Sequence, residues 1–119
     1  MADAEGHPSP EEMDLRAVLT ALSDPLRYQI VQEFLELPDA TERACVSFGF
    51  SVSKSTLSHH FRVLREAGLV QQINRGNSRK AHLRRADLDA RFPGLLDLVR
   101  HNPAPFAPGS AAALATAAE

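Results

Sequence analysis

The sequence predicts a mainly α-helical chain carrying one small β-hairpin. Three observations lead there. Apolar residues recur at helical spacing in several segments, the clearest of them opened by residues that cap helices. Two short extended segments flank a Gly-Asn pair. Between them, these patterns leave one stretch near the middle without a clear period. The length of 119 residues, with 44% apolar and 24% charged residues, suits one soluble globular domain.

Residues 1–8 read as a flexible tail. Ser9-Pro10-Glu11-Glu12 then spells a helix start, with Ser at the cap, Pro at the first helical position and Glu three residues after the cap. Leu15, Val18, Leu19 and Leu22 follow at helical spacing. Ser23-Asp24-Pro25 ends this helix and caps the next, which carries Leu26, Ile30, Val31, Phe34 and Leu35 and stops before Pro38. Residues 39–52 admit a short helix and a loop around Gly49. A third helix, KSTLSHHFRVLREAG, is capped by Ser53 or Ser55 and ends at Gly68. The hairpin comes next, with arms at 69–74 and 79–84 around Arg75-Gly76-Asn77-Ser78. A short turn opens at Asp87 to Asp89, and Pro93 starts a last helix bearing Leu95, Leu96, Leu98 and Val99. The expected domain spans 9–101, and the Pro/Ala-rich remainder, 102–119, is expected to be mobile.

Composition removes several functions. No apolar run is long enough to span a membrane, and the acidic first residues lack the apolar core of a secretory signal. A lone Cys45 provides neither an internal disulfide nor a multi-Cys zinc site, so a reducing, cytoplasmic setting is expected. The six glycines form no phosphate-cradling cluster, which argues against a nucleotide-dependent enzyme. His59 and His60 sit among serines, yet no nucleophile-elbow motif accompanies them, so no enzyme is predicted.

Charge is unevenly placed. Residues 1–42 hold ten Asp/Glu against Arg16 and Arg27. Residues 54–85 hold eight Lys/Arg, opposed only by Glu66. Such a basic half on a net-acidic chain is the footprint of a polyanion-binding surface, although a merely solvated face gives the same count. The third helix sharpens the choice. At 100° per residue, Leu57, Phe61 and Leu64 form one narrow apolar stripe, while Ser55, His59, Arg62 and Glu66 lie opposite. Short hydroxyls allow close approach to a duplex, and Arg can fork onto guanine. Lys54, Ser55, Thr56, Ser58, His59, His60 and Arg62 are therefore the candidate reading residues. Arg75, Asn77, Arg79 and Lys80, at or near the hairpin tip, are candidates for backbone or minor-groove contact. Helix, turn, helix and basic hairpin, in that order, make a winged helix-turn-helix. Double-stranded DNA is favoured over single-stranded RNA, because no aromatic residue interleaves the basic stretch to stack bases. A module for a protein partner is the remaining alternative, and it leaves the basic hairpin unexplained.

The stretches LSDPLRYQIVQEFLE, SKSTLSHHFRVLREAGLV, RGNSRKAHLR and ADLDARFPGLLDLV resemble the ArsR/SmtB family of bacterial transcription regulators, over roughly residues 12–100. The resemblance implies a homodimer joined through its first and last helices on a palindromic operator, more often repressing than activating. Leu15, Val18, Leu19, Leu22, Leu95, Leu96, Leu98 and Val99 are the residues such an interface is expected to bury, each side chain contributing roughly 1.5–3 kcal/mol before entropy is counted. Many members respond to metal. The thiol motif of the family is incomplete here, since Ser47 stands where a second Cys is expected after Cys45. Asp87, Asp89 and His101 are left as oxygen and nitrogen donors that, brought together across a dimer, suit Ni2+ or Zn2+. The same residues also suit helix ends without any metal. A co-regulator protein can equally supply the signal.

Overall fold

Met13 splits the first expected helix in two. Ser9 N–H donates to the Glu12 carboxylate at 2.9 Å, as the sequence demands, but the turn ends there as a short 3-10 helix, Pro10–Glu12. Met13 is extended and buried, and Asp14 caps a new helix by accepting from Arg16 N–H. The computed structural model describes residues 2–103, and its helices are α1 (Leu15–Leu22), α2 (Pro25–Leu35), α3 (Lys54–Ala67), α4 (Arg85–Arg91) and α5 (Leu95–Arg100). The strands are β1 (Arg43–Ala44), β2 (Val70–Arg75) and β3 (Ser78–Leu83). Among these residues, no helix is long and apolar enough to cross a membrane.

Local chemistry fixes α2 and α3 where the sequence puts them. The Asp24 carboxylate accepts from Leu26 N–H and Arg27 N–H, with Pro25 at the first helical position. Ser53 is the cap of α3 and accepts from Thr56 N–H at 3.1 Å. Gly68 closes α3 with φ +93°, and a Cβ there would come within 2.9 Å of the Met13 side chain. A glycine is therefore required twice over, by its backbone and by its neighbour.

The ambiguous stretch 39–52 is resolved by packing. Cys45–Phe48 forms a 3-10 turn. Phe48 lies 5.3 Å from Phe34 of α2 and 5.6 Å from Phe61 of α3, measured between ring centroids. This buried aromatic trio wedges the two helices of the reading motif against each other. Just before it, Arg43 and Ala44 pair with Ala81 and Lys80 of β3. The expected two-stranded hairpin is thus a three-stranded antiparallel sheet in the order β1-β3-β2. Its arms shift by one residue from the expected ranges, and Gly76 alone at the turn has positive φ, +69°. That pattern is the one a type II′ turn requires.

Three further expectations are corrected. Residues 3–8 do not trail away from the body; His7 and Pro8 are buried, and Arg84 donates to Pro8 O at 2.9 Å. The segment from Asp87 is a full helix, α4, and the last helix begins at Leu95, after Gly94 at φ +89°. Of the eight apolar residues assigned to a subunit contact, Val18, Leu22, Leu96 and Val99 are spent inside the chain, where α1 packs on α2 and α3 and α5 packs on α2. Leu15, Leu19 and Leu98 remain exposed. From residue 104 on, the expected mobile tail lies outside the described residues.

Candidate nucleic-acid interface

The apolar stripe of α3 turns inward as its periodicity requires. Phe61 and Leu64 are fully buried, and Leu57 packs against the same core. The opposite side is therefore outward: Lys54, Ser55, Thr56, Ser58, His59 and Arg62 are all exposed. Ser55, Ser58, His59, Arg62 and Arg65 line a shallow concavity of about 560 Å³. Arg62 Nη2 lies 3.4 Å from His59 Nδ1, so the guanidinium and the imidazole share one patch.

His60 departs from this set. Arg27 Nη1 donates to His60 Nδ1 at 3.1 Å, which makes that nitrogen an acceptor and the ring neutral. Asp24 Oδ2, 3.8 Å from the same nitrogen, is then a neighbour of a neutral ring and not an ion-pair partner. Burial lowers the readiness of His60 to take up a proton, Asp24 opposes this, and Arg27 and His59 add to it. The side chain braces α3 against α2 instead of facing outward.

The wing stands beside α3. Asn77 is exposed at the turn, and Lys80 is half-buried on β3. Arg75 is bound by Glu42, Nε to Oε1 at 3.1 Å and Nη2 to Oε2 at 2.6 Å, and this partner holds the Glu42 carboxyl below the usual carboxylate range. Arg79 Nη1 donates to Asn74 Oδ1 and also meets Glu5 Oε1, both at 2.9 Å. Each of the two guanidiniums is thus paired with a carboxylate of its own chain.

Gln72 ties helix and wing together, and the sequence reading passed over it. It is buried, and its Oε1 accepts from Arg65 Nη1 of α3 at 2.5 Å and from Arg79 Nη2 of β3 at 3.5 Å. Its Nε2 donates to Cys45 Sγ at 3.6 Å. A polar residue at an inward position of an alternating strand, two after Val70, was the available signal. Cys45 itself is buried, and burial raises its thiol pKa above the ordinary value, the opposite of what a reactive or metal-binding thiolate needs.

The metal donors expected across a dimer do not gather within one chain. Asp87 is engaged by Arg84, at 3.0 Å from Nη2 and 3.1 Å from Nε. His101 Nδ1 lies 2.8 Å from Asp97 O, at the end of α5. Asp89 is exposed on α4. Among the described residues, no three His, Cys, Asp or Glu side chains gather as a metal site needs.

Residues 24–72, from the α2 cap to the hub glutamine, match the family model for the bacterial regulatory protein, arsR family. This segment is similar to the helix-turn-helix of arsR-family regulators. No curated protein matches it. The ArsR-family match covers α2, β1, the aromatic turn, α3 and the start of β2, while the wing tip and the flanking helices lie outside it. The likeness of this segment to arsR-family proteins supports a DNA-binding transcriptional regulator.

Proposed function

We propose that the chain acts as a homodimer that reads a palindromic operator and represses transcription from it. One observation carries the reading: a polar, cationic helix face stands next to a basic hairpin, with buried Gln72 bonded to both. In this reading, Ser55, Thr56, Ser58, His59 and Arg62 enter the major groove, and Lys54 contacts the backbone at the start of α3. Asn77, Arg79 and Lys80 meet the flanking backbone or minor groove, as does Arg75 once it exchanges Glu42 for phosphate.

Leu15 and Leu19 on α1 and Leu98 on α5 are large apolar side chains left in water, with exposures of 42%, 50% and 63%. Contact between two copies at these positions places two α3 helices in twofold relation. Inverted half-sites about one helical turn apart, or a multiple, follow from that symmetry. A dimer seated across a promoter blocks it by occupancy, which is why repression is the favoured outcome.

The test is a mobility-shift assay on duplex from the region upstream of the coding sequence, followed by footprinting. A protected inverted repeat, with affinity falling steeply as salt rises, supports the reading. Binding with no sequence preference at any salt concentration overturns the operator, and salt-independent binding overturns the backbone contacts.

A further inference from the structure

We propose that residues 3–7 form an acidic strap that competes with the DNA backbone for Arg79, with buried His7 as its anchor. This rests on the reading above, in which Arg79 meets phosphate.

The strap is a closed loop. Asp3 N–H donates to His7 O, and Gly6 N–H donates to Asp3 O, both at 3.0 Å. The Asp3 carboxylate accepts from Glu5 N–H and His7 N–H, each at 2.9 Å. These bonds hold the Asp3 carboxyl below its usual range, so it stays ionised. The His7 ring then joins this loop to the sheet. Its Nε2 accepts from Gln72 N–H at 3.0 Å. A nitrogen that accepts there carries no proton, so the proton is on Nδ1, which donates to Asp3 Oδ2 at 2.9 Å. β2 is an edge strand of the sheet, and an outward N–H of an edge strand needs such a partner once it is buried.

Anchoring His7 on β2 fixes where Glu5 falls. Its carboxylate reaches Arg79 Nη1 at 2.9 Å. The anchor and the tip differ in kind. The His7 side chain is 3% exposed, whereas those of Glu5 and Arg79 are 46% and 31% exposed. Exposed ion pairs contribute little and open readily, so a phosphate can take the place of Glu5 while His7 stays seated. The strap thus lowers nonspecific affinity, which is phosphate-driven, while Ser55, Ser58, His59 and Arg62 of α3 stay exposed.

The test is a double-mutant cycle in the full chain, read as affinity for a fluorescein-labelled duplex of random sequence at low salt. Glu5→Gln is expected to tighten binding roughly two- to fivefold, the factor to which an exposed ion pair corresponds. Arg79→Gln is expected to weaken binding, and adding Glu5→Gln to Arg79→Gln to change nothing further. Glu11→Gln, in the turn before α1, makes the same change of charge away from the wing and is expected to leave affinity unaltered. If Arg79→Gln weakens binding but Glu5→Gln does not tighten it, the strap fails while the wing contact stands. Equal effects of Glu5→Gln and Glu11→Gln, or a Glu5→Gln effect that persists without Arg79, reduce the strap to general charge and overturn it. Unaltered binding by Arg79→Gln overturns the wing contact, and the competition with it.

Discussion

Two side chains one helical turn apart or less, His60 and Arg62, show how differently neighbouring residues on a recognition helix can be used. Arg62 is exposed, with a histidine as its near neighbour, free to fork onto a base edge. Arg62→Ala is expected to weaken cognate operator binding by roughly 1–3 kcal/mol, measured by anisotropy against a scrambled duplex. Unchanged discrimination between the two duplexes would remove Arg62 from base reading. His60 accepts from Arg27 and resists protonation in the folded chain. The unfolded chain does not resist it. Below the ordinary imidazole range the unfolded state therefore binds the extra proton, and stability falls as pH falls through that range; above it, His60 contributes no pH dependence. Urea unfolding at about pH 7.5 and about pH 5.5 should show a larger loss in wild type than in His60→Gln. Equal losses would mean that the brace does not govern His60 protonation.

At the scale of elements, caps and glycines decide boundaries. Gly68→Ala is expected to cost about 1–3 kcal/mol by thermal or urea unfolding, because it combines a left-handed backbone with a Cβ pressed on Met13. A cost of a few tenths would show that Met13 gives way freely. The wing makes a separate prediction. Replacing Arg79 and Lys80 together by Ala should lower affinity across all sequences and reduce the salt slope by roughly two. An unchanged slope would place both side chains away from phosphate. The elements legible in the sequence, α2, α3 and the β2–β3 hairpin, are those whose signals are local: Asp24, Ser53, Gly68 and Gly76 each act within a few residues. What stayed illegible depends on distant partners. Met13 breaks the first helix because it finds a place beside Gly68. Arg43 and Ala44 become a strand only because β3 offers an edge, and Phe48 settles its turn between two rings from α2 and α3. The site divides in the same way. Periodicity alone exposed Ser55, His59 and Arg62. The withdrawal of His60, the burial of His7 and the hub at Gln72 each require a contact that spacing cannot reveal.

For the whole molecule, the division of apolar residues on α1 and α5 makes the sharpest prediction. Val18, Leu22, Leu96 and Val99 complete the core of one chain, and Leu15, Leu19 and Leu98 stay exposed for the contact between copies proposed above. Leu19→Glu should leave the fold intact by circular dichroism, shift sedimentation to the monomer and weaken operator binding. A dimer that survives the substitution would place the subunit contact elsewhere. Arg27 gives this arrangement a mechanical aspect. Its Nε donates to Ala21 O at 2.8 Å and its Nη2 to Thr20 O at 3.5 Å, at the last turn of α1, while its Nη1 grips His60 on α3. One planar, rigid fork therefore rivets the end of α1 to the middle of α3. In the proposed dimer, a tilt of α1 would carry α3 with it, and a change of posture at the outer helices would then become a change in stride between two neighbouring grooves.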